Sequence, residues 1–190
     1  MLVLASASER RRDLLTAAGI PFEIQVSNLH EPPPQGEAAE EYAKQLAREK
    51  ARTVRAERSK DWILGADTVV LVDGQILGKP ADYEDAVRIL RLLSGRTHYV
   101  TTGICLLGPT GECACVEDIR SATTSVTMMD LTEDEIRAYV ATGESMDKAG
   151  AFAIQGMASR WVTYIEGDYF NVVGLPVSLV YRMLREHGVL

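Results

Sequence analysis

The sequence predicts a mixed α/β fold built around a twisted sheet. Two observations carry that reading. Helical patterns are separated by hairpin signals along the whole chain. The apolar runs are short and bounded by Gly, Pro or Asp, as strands joined by surface turns require. With 190 residues the chain can bury a real core and fits one domain, residues 1–190.

Leu2-Val3-Leu4 opens the chain as a strand that runs through Ala5, Ser6 and Ala7 into a helix, with Ser8 suited to cap it. Arg10, Arg11 and Arg12 crowd the first turn, although cations there oppose the helix dipole. Either they pair with Glu9 and Asp13 on a solvated surface, or the helix start, Ser6 and the arginines cradle an anion. The helix should stop near Gly19. A short strand over 21–26 then leads into a loop marked by Pro32-Pro33-Pro34 and Gly36, which holds Glu31.

Residues 38–58 read as a helix with Ala39, Tyr42, Ala43, Leu46, Ala47 and Val54 on one face. Lys50 falls on that apolar face. It either snorkels at the core edge or points into a cleft, and its position alone favours snorkelling. Residues 62–72 are the most strand-like run, and Asp73-Gly74 before Gln75-Ile76-Leu77 signals a two-residue hairpin. Asp67 interrupts the run. A carboxylate in a buried strand is costly unless paired or cation-bound, and Gly65 and Ala66 would let a ligand approach, so a functional role is favoured.

Lys79, in Gly78-Lys79-Pro80, stands where the chain leaves this hairpin; by itself it is an ordinary turn residue. A helix capped by Asp82 should end at Gly95, and residues 97–107 and 113–128 pair as a long hairpin. Thr132 and Glu135 form a capping box for a helix ending near Gly143. Residues 147–156 concentrate small side chains around polar ones, which suits either close approach to a ligand or a compact turn. Residues 161–165 and 169–173, joined through Glu166-Gly167-Asp168, read as a further hairpin, and Pro176 starts the last helix.

Composition narrows the function classes. A net charge of -7 argues against a broad grip on a nucleic-acid polymer, while leaving room for a small anion where cations gather locally. Cys105, Cys113 and Cys115 are odd in number and lack C-x-x-C spacing, so buried reduced thiols are expected. His30, His98 and His187 are far apart and form no metal motif. No run approaches the roughly 20 apolar residues of a membrane span, and no leader pattern opens the chain, so a cytoplasmic address is the expectation.

Seven segments then converge. Leu4-Ala5-Ser6-Ala7-Ser8-Glu9-Arg10-Arg11, Arg48-Glu49-Lys50-Ala51, Gly65-Ala66-Asp67-Thr68, Gly78-Lys79-Pro80, Asp147-Lys148-Ala149-Gly150-Ala151, Ile154-Gln155-Gly156 and Val173-Gly174-Leu175-Pro176 together closely resemble the Maf family of nucleoside triphosphate pyrophosphatases. One departure is Glu9, where the family often has proline; both suit a helical first turn.

The resemblance implies an elongated, two-lobed fold like that of inosine triphosphate pyrophosphatases, with a central cleft. It implies hydrolysis of a nucleoside triphosphate to monophosphate and pyrophosphate with a divalent metal, Mg2+ or Mn2+. Asp67 is then the proton acceptor and, with Glu31, a metal ligand; Ser6, Arg10, Lys50 and Lys79 bind the triphosphate. Arg11, Thr68 and Gln155 match the subgroup acting on dTTP and UTP rather than 7-methyl-GTP. Arg12 is left as a solvated bystander. A homodimer is the family expectation. A nucleotide-sensing regulator of cell division, or a house-cleaning enzyme for modified nucleotides, is the alternative.

Overall fold

In the computed structural model, which describes residues 1–110 and 116–190, the element order follows the helix and hairpin signals closely. Cys113, Cys115 and the expected start of a strand at residue 113 lie outside the described residues. The strands are β1 (Leu2–Leu4), β2 (Glu23–Ile24), β3 (Trp62–Val72), β4 (Gln75–Leu77), β5 (Thr97–Leu107), β6 (Glu117–Met128) and β7 (Val162–Glu166). The helices are α1 (Glu9–Ala17), α2 (Ala39–Arg55), α3 (Tyr83–Leu93), α4 (Glu133–Val140), α5 (Tyr169–Val173) and α6 (Val177–Glu186).

Among the described residues the strands join in one sheet of order β2-β1-β3-β5-β6-β7, with β4 on the far part of β3. β1 runs parallel to β2 and β3, and every other pairing is antiparallel. β3 is thus the common member. Its first residues pair with β1, its last with β4, and β5 accompanies it from Ile63 to Leu71. Asp67 stands opposite Gly103 and Thr68 opposite Thr102 in that ladder.

α2 packs on one face of β3 and β5, and two glycines let it seat. A Cβ on Gly65 would fall 2.1 Å from the Ala47 carbonyl oxygen, and one on Gly103 would fall 2.4 Å from the Ala43 carbonyl. Alanines on the helix and glycines on the strands bring backbone against backbone, with Val3, Ile63 and Cys105 filling the space around them. Burial pushes the Cys105 thiol up to about 12, which keeps it an unreactive core residue. The opposite face carries the larger core, in which Leu64, Ile104, Leu90, Val126, Tyr139 and Trp161 are buried.

The local signals act as their chemistry requires. The Ser8, Asp82 and Thr132 side chains accept from the third residue of their helices, and Glu135 completes its capping box. Asp73 and Gly74 both take positive φ, at 48° and 78°, as a two-residue turn matching the strand twist demands.

One expected hairpin is corrected. β7 pairs with β6, but residues 169–173 form α5 rather than a returning strand. The Asp168 carboxylate accepts from the N–H groups of Phe170 and Asn171, so the chain turns into a helix at the very residue read as a hairpin tip. Buried Asn171 then donates to Val100 O at 2.9 Å and Thr124 Oγ1 at 3.0 Å, fastening α5 to the sheet. A run rich in aromatic and β-branched residues is strand-like by propensity, and the cap overrides it.

Candidate active site

A cleft of about 750 Å3 opens where β1 leads into α1, and Asp67 of β3 lies on its floor. Every residue predicted for the site lines it: Ser6, Arg10 and Arg11, Glu31, Lys50, Asp67 and Thr68, Lys79, and Gln155. Six separate stretches of sequence therefore meet in one place. Arg12 does not; it is exposed and pairs with its neighbour Asp13 at 3.0 Å.

Lys50 resolves the ambiguity of its position in favour of the cleft. It does not snorkel. Only 9% exposed, it hydrogen-bonds to Asp67 and reaches Glu31 Oε1 at 2.6 Å. The stripe of α2 faces β3, so a lysine on that stripe is aimed at the buried strand carboxylate, and an opposite charge there is what makes burial tolerable. Asp67 is 7% exposed. Burial pushes its carboxyl above the usual range, while the charges of Lys50 and Arg11 and the Lys50 hydrogen bond pull it back. At Glu31 partial burial acts upward, but Lys50, Lys79 and Arg11 prevail and hold its carboxyl below the ordinary value.

Arg11 is the second organising cation. Its Nε donates to Gly174 O at 2.8 Å, Nη1 to Ser6 Oγ at 3.2 Å and Nη2 to Thr68 Oγ1 at 3.0 Å. Thr68 Oγ1 lies a further 2.9 Å from Thr102 Oγ1. One buried guanidinium thus ties α1, the segment that follows β1, β3 and the turn before α6 together. The fork geometry of arginine makes this three-way contact, which an ammonium could not copy. The role of Gly174 was not visible in the sequence, where Val173-Gly174-Leu175-Pro176 carried only a resemblance; what recruits it is its carbonyl, which no side-chain pattern encodes.

Ser6 Oγ accepts from Arg11 and from Ser8 N, leaving its own hydroxyl proton to give. Arg10, Lys79 and Gln155 sit toward the opening, with Lys79 and Gln155 exposed and Arg10 Nη2 3.5 Å from Asp147 O. The floor therefore carries paired charges and the rim carries cations and an amide. Such a cleft can hold a multiply charged anion at one end and a polar ring edge at the other.

Among the described residues no cluster of three or more His, Cys, Asp and Glu side chains is poised for a metal ion. Glu31 and Asp67 nevertheless converge, since both contact the Lys50 ammonium. Two carboxylates aimed at one cationic point are a donor set that fits a hard divalent cation, whose shell water and phosphate oxygens can complete.

Comparison with known proteins places the chain in a family. A dTTP/UTP pyrophosphatase of Koribacter versatilis is 53% identical over 189 residues, covering 100% of this chain and 95% of the relative. One of Thermococcus gammatolerans is 49% identical over 188 residues, covering 99% and 97%. The solved structure of the Staphylococcus aureus Ham1 protein aligns with a TM-score of 0.50 over 98% of both chains at 16% identity, a likeness of fold alone. The Maf-like protein family matches residues 1–187. With the family's span reaching from the first residue of the chain to the end of α6, this chain belongs to the Maf family.

Proposed function

We propose that this protein hydrolyses nucleoside triphosphates, dTTP and UTP foremost, to the monophosphate and pyrophosphate. The observation that carries the reading is Asp67: a buried carboxylate that shares Lys50 with Glu31 on the floor of a cleft rimmed by Arg10 and Lys79. The names of the similar proteins point to the same two substrates.

In this reaction the oxygen of water attacks the α-phosphorus, the bond from that phosphorus to the α-β bridging oxygen breaks, and pyrophosphate leaves with the bond's electrons. Asp67 takes the water proton. Its raised affinity for a proton suits a base, because a strongly acidic carboxylate would drive the transfer poorly. Arg10 and Lys79 reach the triphosphate from the rim, Ser6 donates a hydroxyl proton to it, and Lys50 counters charge at the floor. A divalent cation held by Glu31 and Asp67 would supply charge neutralisation on the triphosphate. Arg11 and Thr68 shape the wall, and Gln155 offers a donor and an acceptor to the pyrimidine edge.

The test is a product-resolved panel of dTTP, UTP, CTP, GTP and 7-methyl-GTP with Mg2+ or Mn2+. Pyrophosphate with monophosphate, fastest from dTTP and UTP, is expected. Orthophosphate as the product would overturn the bond assignment, and 7-methyl-GTP as the best substrate would overturn the base assignment.

A further inference from the structure

Gln155 is exposed on a short turn, closed by Gly156 N donating to Ala153 O at 3.0 Å. An exposed amide selects a base only if its backbone is fixed, and the groups that fix it are Tyr139 and Glu144, the latter itself lining the cleft. Tyr139, fully buried on α4, donates its hydroxyl to Glu144 Oε1 at 2.9 Å and accepts from Ala153 N at 3.2 Å. The same Glu144 carboxylate accepts from Met157 N, at 3.1 Å to Oε1 and 3.3 Å to Oε2. The backbone N–H groups two residues before and two residues after Gln155 therefore end on one tyrosine–carboxylate unit.

Two details make this a built arrangement. A Cβ on Gly156 would fall 2.2 Å from Glu144 Oε1, so the glycine is the gap through which the carboxylate reaches the turn. The Tyr139 ring packs edge-on to Trp161, centroids 5.0 Å apart, which fixes where the hydroxyl points. Gly156 thus makes room for the protein's own carboxylate, the compact turn that was one of the two readings the sequence left open.

We infer that Tyr139 and Glu144 are positioning residues for base selection, a clamp that holds the Gln155 amide in register with the pyrimidine edge. The inference rests on the proposed contact between Gln155 and the base. Loosening the clamp leaves the triphosphate groups untouched and lets the turn bearing Gln155 drift, so discrimination should fall more than turnover.

The test compares kcat and KM for UTP and GTP in the wild type and in Tyr139→Phe, Glu144→Ala, Glu144→Gln, Gly156→Ala and Gln155→Ala. Gly156→Ala displaces the carboxylate without altering either clamp residue. Expected is a loss of about tenfold in the UTP:GTP ratio of kcat/KM, mainly through the KM for UTP, in Tyr139→Phe, Glu144→Ala and Gly156→Ala. Glu144→Gln keeps an acceptor oxygen and should recover most of the ratio. A purely structural role would lower the active fraction for both nucleotides alike and leave the ratio unmoved. An unmoved ratio in the clamp variants alongside a relaxed ratio in Gln155→Ala would overturn the clamp alone. Wild-type discrimination in Gln155→Ala would overturn the base contact, and the clamp with it.

Discussion

Lys50 of α2 and Asp67 of β3 form an ion pair almost wholly removed from solvent, with Glu31 on the same ammonium. A buried pair of this kind contributes little net stability, and breaking one side of it is costly. Its worth lies in setting the protonation and placement of Asp67.

Asp67→Asn keeps shape and hydrogen bonding but cannot take a proton. The kcat for pyrophosphate release should fall about 10²- to 10⁴-fold, the usual contribution of a general base, with the circular dichroism spectrum unchanged. Near-normal turnover in a folded variant would remove Asp67 from the chemistry.

The same carboxyl predicts a pH profile. Burial raises it, so the acid limb of log kcat/KM should lie above the ordinary aspartate value of about 3.9. Lys50 opposes that rise, and Lys50→Met should move the limb further toward neutrality. A limb below the ordinary value, or one that moves down in Lys50→Met, would contradict the assignment.

Two adjacent arginines should behave oppositely. Arg11→Lys surrenders contacts to Ser6, Thr68 and Gly174 and should cost about 3 kcal/mol at roughly 1 per lost hydrogen bond. Arg12→Ala loses a surface pair with Asp13 and should stay within about 0.5 kcal/mol of the wild type. Urea denaturation midpoints measure both.

His98 is fully buried against Phe152, with ring centroids 5.3 Å apart, and neither ring nitrogen has a partner among the described residues. Burial lowers its imidazole to about 4. The unfolded chain takes up that proton below about pH 6.5 and the folded chain does not, so stability is present above that value and drains as pH falls toward 4. The full loss is about 3 kcal/mol. His98→Phe should shrink the drop in urea midpoint between about pH 7 and pH 4.5; an equal drop in both proteins would show that His98 carries none of it.

Much of the site was legible because its chemistry conflicts with its local setting. Asp67 in an apolar strand and arginines at a helix start are each unfavourable alone, and the structure resolves both by bringing them together. Lys50 was half legible: the helical period gave its face, but only the tertiary packing says that the face meets a carboxylate. The fold was readable wherever caps and turns fix the chain, as at Ser8, Asp73-Gly74 and Thr132. It misled at 169–173, where strand-like side chains follow an aspartate that caps a helix instead. Tyr139, Glu144 and the Gly174 carbonyl left no signal, since each contact pairs a side chain with a backbone group distant in sequence.

The continuity of β3 has a mechanical consequence. It is a single strand of eleven residues, laddered to β5 through Asp67 and pinned at its two ends by β1 and β4. A strand held in this way has no loose torsion to serve as a hinge. Any closing of the cleft on a nucleotide must be carried by the connecting segments that bring Glu31, Lys79 and Gln155. Asp67, the proposed proton acceptor, is then the stationary datum of the machine, and the segments that carry Glu31, Lys79 and Gln155 are its travelling parts.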